Sequence, residues 1–211
     1  LDQKHLTDNT LIVYVTDNGW IQRTKRSEVP DGWKQGFAPK SKQSPYDGGT
    51  RTPILLSWPG KIAPSERTEL VSSIDLVPTM LKAAGADIPE NLPGLDLLPA
   101  LTGQQPLKRK ELFGESFAHD VADVDNPQAS LLYRWVIQDH WKLLLTYDGE
   151  TNRYAAAHLK LDGGPQLFDL QADPFEEHNA ASAHPDLVRK LAGRLNDWWP
   201  VTQRHTVDAV R

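Results

Sequence analysis

Residues 11–15 (Leu-Ile-Val-Tyr-Val) form an apolar run without a polar interruption, and after Thr16 the pattern stops at Asp17-Asn18-Gly19. An unbroken run rich in β-branched types predicts a strand buried on both faces, as in a parallel sheet, because a half-exposed strand would alternate. Residues 54–58 predict a second short buried strand, closed by Pro59-Gly60. Asp75 as N-cap, Pro78 in the first turn and Gly85 just past the end bracket a helix. Its inward stripe is expected to be Leu76, Met80, Leu81 and Ala84. Residues 86–110, rich in Pro and Gly, predict a meandering loop, and residues 111–115 another short strand.

Beyond residue 130 the texture changes. Residues 131–137 and 141–147 read as the two strands of an antiparallel hairpin, and residues 165–170 as a third strand. Residues 185–198 predict a helix, with Pro185 at its first position and Leu187, Leu191, Leu195 and Trp198 on one face. The expected fold is therefore α/β. A mixed, mainly parallel sheet flanked by helices occupies residues 1–130, and a small α+β subdomain with an antiparallel sheet and a closing helix occupies 131–211. No internal repeat is visible.

With 211 residues, 39% of them hydrophobic, and seven Trp, the chain can bury a real core. Neither a mean hydropathy of -0.51 nor any apolar run is compatible with a membrane span. A net charge of -5 argues against nucleic acid as a partner. The absence of cysteine removes disulfides, thiolate metal sites and a cysteine nucleophile from this chain. The opening Leu-Asp-Gln-Lys-His has neither an initiator Met nor a signal peptide and reads as the end of a helix, so the chain is expected to be cut from a longer one.

Two stretches carry candidate chemistry. Asp17 and Asn18 leave the strand at the edge where ligands bind in open α/β sheets, and Gly19 frees the backbone for that exit. A carboxylate beside an amide carbonyl makes a pair of hard oxygen donors suited to Ca²⁺ or Mg²⁺, although Asp-Asn-Gly is equally a common turn sequence. Residues 20–45 show no periodicity and carry six basic residues (Arg23, Lys25, Arg26, Lys34, Lys40, Lys42) against Glu28 and Asp31, together with Trp20, Trp33 and Phe37. Such a basic, aromatic stretch would attract an anion. Lys42 is a compact point charge suited to an oxyanion, and Gly48-Gly49 after it implies a tight turn or a close backbone approach. Asp75 is assigned to capping rather than catalysis. His119, Asp120, Asp123 and Asp125 fit no EF-hand spacing and read as a solvated loop.

Taken in order, these segments resemble the C-terminal part of a type I sulfatase of the alkaline-phosphatase-like superfamily. The strand ending in Asp17-Asn18-Gly19 resembles the one carrying that family's last two metal ligands. Lys42 followed by Tyr46-Asp47-Gly48-Gly49-Thr50-Arg51-Thr52-Pro53 and Trp58-Pro59-Gly60 resembles the segment with an active-site lysine. Ser73-Ile74-Asp75-Leu76-Val77-Pro78 resembles the helix that follows. Trp141-Lys142-Leu143 and Leu167-Phe168-Asp169-Leu170 through Glu176-Glu177-His178-Asn179 resemble the closing subdomain.

The resemblance implies a sulfuric ester hydrolase acting on a sulfate ester, with carbohydrate as one candidate carrier. It also implies a divalent cation, Ca²⁺ or Mg²⁺, on Asp17 and Asn18, and a sulfate oxygen on Lys42. Arg51 is a secondary candidate for substrate contact and, with Asp47, is first read as fixing the Gly48-Gly49 turn. Export to the periplasm, secretion or the lysosome is the family's habit. The family's nucleophile is a formylglycine made from Cys or Ser in a Cys/Ser-x-Pro-x-Arg segment, and no serine here stands in that pattern. The remaining N-terminal part of the enzyme is therefore an expected partner, and the 211 residues alone are expected to be inactive. Two rivals share these residues. One is a phosphonate or phosphodiester hydrolase of the same superfamily, and the other a non-catalytic remnant that binds sulfated ligands through residues 20–45.

Overall fold

The computed structural model describes residues 1–19, 40–42, 44–118, 123–147 and 164–202. Most of the basic stretch, with Trp20, Trp33, Phe37 and Lys34, lies outside them, as do His119 and Asp120. The chain divides into two compact units: Leu1–Asp17 with Thr52–Leu112, and Asn18–Arg51 with Phe113–Arg211.

In the first unit, β1 (Ile12–Val15) pairs antiparallel with β2 (Ile54–Ser57), Ile12 opposite Ser57 and Val15 opposite Ile54. The expected mainly parallel sheet is not seen among the described residues. Nor is β1 buried on both faces: Ile12, Tyr14 and Leu55 are about half exposed. An apolar run reports that both faces need cover, and it is silent on the direction of the neighbouring strand. Before β1 the chain makes two short 3-10 turns, Asp2–Lys4 and Thr7–Asn9, where the end of a helix was expected. Trp58 is buried, its indole donating to the Asp8 carbonyl at 2.9 Å.

Helix α2 spans Leu76–Ala83 and ends, as its glycine implies, with Gly85 at φ 73°. Asp75 stands at its N-cap, as expected, but makes no side-chain bond into the helix. Instead a 3-10 turn over Ser73–Asp75, capped by Ser72, leads in, and Asp75 reaches back so that Oδ2 accepts the Ser72 N–H at 2.8 Å. The inward face also differs: Leu76, Pro78 and Thr79 are buried, while Met80 is 42% exposed beside Ile74 and Val77. Polar groups turned this helix. Thr79 donates to the Asp75 carbonyl at 2.6 Å and accepts the Leu97 N–H at 2.9 Å, and Asp75 accepts the Leu95 N–H at 2.8 Å. Those bonds tie α2 to the residues before the short helix α3 (Leu98–Leu101), an element missed in the expected loop. Buried backbone donors demand partners, so the side supplying them faces inward and the apolar Ile74-Val77-Met80 row faces out.

The second unit is built on a four-stranded sheet in sequential order: β3 (Glu111–Phe117), β4 (Leu131–Gln138), β5 (Trp141–Thr146) and β6 (Gln166–Asp169). The expected hairpin is present, turning through Asp139 at φ 55°, the left-handed geometry that a two-residue hairpin loop needs. Both sheet faces are covered. On one, Leu131, Val136, Leu143, Leu145 and Leu167 meet Val188, Leu191, Ala192 and Leu195 of α4 (Pro185–Trp198). On the other, Leu132, Tyr133, Leu144 and Phe168 meet Tyr46. The expected face of α4 is right at Leu191 and Leu195, but Trp198 is 41% exposed and stacks on Phe113 with centroids 5.1 Å apart. Arg134, buried on β4, donates to the Leu195 carbonyl at 3.0 Å and to Asn196 Oδ1 at 2.9 Å, satisfying the end of α4. Among the described residues no helix is long and apolar enough to cross a membrane.

Candidate active site

The segment from Lys40 to Arg51 lies on the Phe168 face of the second unit's sheet. Tyr46 anchors it: the ring meets Phe168 edge-on at 5.9 Å, and the hydroxyl donates to the buried Gln166 Oε1 at 2.7 Å. After Tyr46 the chain makes one turn of helix, α1 (Asp47–Thr50), and its two glycines are there for want of space. A Cβ on Gly48 would stand 2.5 Å from the Lys40 carbonyl, and one on Gly49 would meet the Ser41 and Ser44 carbonyls. The two glycines thus form a floor against which Lys40, Ser41 and Ser44 are pressed. Lys42, half-buried, rides on the turn closed by the Ser44 N–H on the Ser41 carbonyl at 3.0 Å.

The exit of the strand joins the same floor. Gly19 donates its N–H to the Gly49 carbonyl at 2.9 Å, and a Cβ there would lie 2.6 Å from the Gly48 carbonyl oxygen. Asn18, whose Oδ1 is shielded from solvent, is therefore delivered beside the Lys42-bearing segment by a direct backbone bond. Asp17 is exposed and ends the first unit, one residue before. Arg51 is exposed, and only its backbone holds the turn, donating to the Asp47 carbonyl at 2.8 Å.

Under this floor lies a buried cluster of charge that sequence reasoning missed. Lys142 of β5 is fully buried, its Nζ 2.8 Å from Asp47 Oδ1 and 2.8 Å from Glu176 Oε1. Glu176 Oε2 also accepts the Asp47 N–H at 2.6 Å, and the Glu176 carbonyl accepts from Lys40 Nζ. Burial pushes the Glu176 carboxyl above its ordinary range; Lys142 pulls it back in part, and the Asp47 carboxylate adds to the rise. The available signal was a lysine set in the run Lys142-Leu143-Leu144-Leu145, where an apolar residue would suit a covered sheet face. Asp173, Glu177 and His178 form a second group of possible metal ligands, but the Asp173 oxygens already accept the Glu177 and His178 N–H groups at 3.0 and 2.8 Å. That cluster closes its own loop.

Residues 40–199 match the family model described as N-sulphoglucosamine sulphohydrolase, C-terminal. The chain belongs to this sulfatase family. It is similar to the N-acetylgalactosamine-6-O-sulfatase of Bacteroides thetaiotaomicron, 28% identical over 92% of this chain and 37% of that protein. It is also similar to human arylsulfatase A, 32% identical over 88% of this chain and 37% of that protein. Among solved structures, the phosphonate monoester hydrolase of Silicibacter pomeroyi superposes with a TM-score of 0.64 at 26% identity, covering 94% of this chain and 36% of that one. This sulfatase segment thus spans well under half the length of the relatives it matches. It matches the C-terminal part of its sulfatase relatives and has an α/β fold whose described sheets are antiparallel.

Proposed function

We propose that the protein is a sulfuric ester hydrolase of which these residues form the C-terminal portion, carrying Lys42 for the sulfate and Asp17 and Asn18 for a cation. In this reading residues 1–130 belong to the catalytic α/β portion and 131–211 to the closing subdomain. The observation that carries the proposal is the common floor: the peptides of Asn18-Gly19 and of the Lys42 turn are both docked on Gly48-Gly49. A cation-ligand candidate and an anion-binding candidate are thereby carried on one piece of backbone, which supports assigning both to one oxyanion.

Sulfatases are generally metal-dependent. The donors here are hard oxygens, which fit Ca²⁺ or Mg²⁺ rather than a soft metal, but they number two where Ca²⁺ takes about six to eight. The other ligands, and the formylglycine nucleophile, are expected from the part of the polypeptide that precedes this chain. When bound, the cation would neutralise charge on the sulfate oxygens. Lys42 donates hydrogen bonds to a sulfate oxygen and holds it while the ester S–O bond breaks and negative charge passes to the departing alcohol oxygen. The buried lysine and its two carboxylates lie beneath this site and touch no substrate. A sulfated carbohydrate is the proposed substrate, supported by similarity to a sulfatase named for N-acetylgalactosamine. A compartment reached by export (periplasm, extracellular space or lysosome) is proposed by resemblance.

The whole enzyme, with its preceding part, is expected to hydrolyse p-nitrophenyl sulfate, whereas the 211-residue chain alone turns over none. Metal-dependent hydrolysis by the purified chain would reveal a nucleophile among these residues and overturn the assignment. The phosphonate monoester hydrolase at TM-score 0.64 keeps one rival in view. A kcat/KM for p-nitrophenyl phenylphosphonate exceeding that for the sulfate would decide for it.

Asp17→Ala in the whole enzyme is expected to lower Ca²⁺ affinity by at least about tenfold in calorimetry, on the scale of losing a metal-site partner. Unchanged Ca²⁺ binding would remove Asp17 from the ligand set.

A further inference from the structure

We propose that Lys142 is a positioning residue for Lys42, acting through a buried lock with Asp47 and Glu176 that fixes the segment on which Lys42 rides. The proposal rests on the reading of Lys42 as the sulfate-binding group.

The lock grips that segment on both sides of Lys42. Two residues before it, Lys40 donates to the Glu176 carbonyl, with its Nζ also 4.7 Å from the Tyr46 ring centroid. Five residues after it, Asp47 is held twice, its carboxylate by Lys142 at 2.8 Å and its N–H by Glu176 Oε2 at 2.6 Å. Lys142 joins the two grips because its single ammonium bridges both carboxylates. Glu176 itself stands at φ 56°, a left-handed conformation costly for a side chain of its size, so the surrounding structure holds it there.

Stability alone accounts poorly for this arrangement. A buried ion pair contributes little net stability compared with apolar residues of the same volume, because its desolvation offsets its attraction. On the covered face of β5, beside Leu144 and opposite Phe168, a methionine would pack without that penalty. What the charges supply is direction. A carboxylate-ammonium-carboxylate chain tolerates one geometry, and it places Asp47 with the Gly48-Gly49 floor behind it. A group misplaced by about 1 Å can lose about 10²-fold in rate.

The test is a double-mutant cycle in the whole sulfatase. Lys142→Met alone leaves two carboxylates facing each other and risks misfolding. The charge-free set Asp47→Asn, Lys142→Met, Glu176→Gln removes the lock without leaving a buried charge, and Gln keeps an oxygen for the Asp47 N–H. Each is combined with Lys42 and with Lys42→Ala, and kcat/KM for p-nitrophenyl sulfate, binding of inorganic sulfate by calorimetry, and Tm are measured. With Lys42 present, the charge-free set is expected to lower kcat/KM by about 10- to 100-fold and to weaken sulfate binding, at nearly unchanged Tm. With Lys42→Ala already made, the same set is expected to change kcat/KM less than about threefold. Equal losses in both backgrounds, or no loss with Lys42 present, overturn the positioning role. If Lys42→Ala by itself leaves kcat/KM and sulfate binding intact, the reading of Lys42 fails and this proposal fails with it, a result visible before any Lys142 variant is made.

Discussion

Lys42→Ala in the whole enzyme is expected to lower kcat/KM by roughly 10²–10³, the scale for losing one preorganised electrostatic stabiliser. The variant is expected to keep its fold, because the turn around Lys42 is held by backbone bonds and by the Gly48-Gly49 floor. Lys40 and Lys34 are the controls. By sequence, both belong to a loose basic loop and should act only through screened long-range attraction. For Lys40 that expectation is corrected: its ammonium donates to the Glu176 carbonyl and lies over the rings of Tyr46 and Phe168. Lys40→Ala should therefore cost stability, about 1.5–3 kcal/mol for a hydrogen bond from a charged group, with some loss of rate through displacement of the segment. Lys34→Ala should act only weakly, and added salt should erase its effect. Equal losses at all three positions would show a diffuse basic patch and sink the assignment of Lys42.

Arg109→Met is expected to destabilise the protein by about 3–5 kcal/mol, the largest stability effect anticipated here, because it strands a buried carboxylate. Asp75 is wholly buried, and Arg109 grips both its oxygens at 2.6 and 2.7 Å. Burial alone would raise the Asp75 carboxyl. Arg109 and the N–H groups of Ser72 and Leu95 outweigh it, so the net shift is downward. A depressed folded value means that this stabilisation is fully present above the unfolded value of about 3.9 and is lost as pH falls through the folded one. In Arg109→Met the balance reverses and burial dominates. The variant should then lose stability as pH rises above about 4 and regain part of it on acidification. The double variant Asp75→Asn, Arg109→Met should recover much of the loss. Urea unfolding of the whole protein against pH reads each case. A cost under about 1 kcal/mol at neutral pH would place the pair with ordinary surface bridges.

The sequence by itself determined what local periodicity encodes. The strand-forming runs at residues 131–137 and 141–147 predict the β4–β5 hairpin, and the spacing of Leu191 and Leu195 predicts the buried face of α4. Gly85 marks the end of α2, and the order of motifs identifies the family. Those signals survive because each depends on neighbours a few residues away. What only the tertiary structure decided are the pairings across long separations. The apolar run of β1 could not announce an antiparallel partner. The helical period of α2 could not reveal that buried hydrogen bonds to Leu95 and Leu97 would turn its polar side inward. Asp47 finds Lys142 95 positions away and Glu176 129 positions away, and Asp75 finds Arg109 34 positions away. A charged side chain carries no mark in the sequence of whether it will meet water or a counter-charge. That choice is made only when folding removes the water, and a buried charge must then find its partner wherever the chain has brought one.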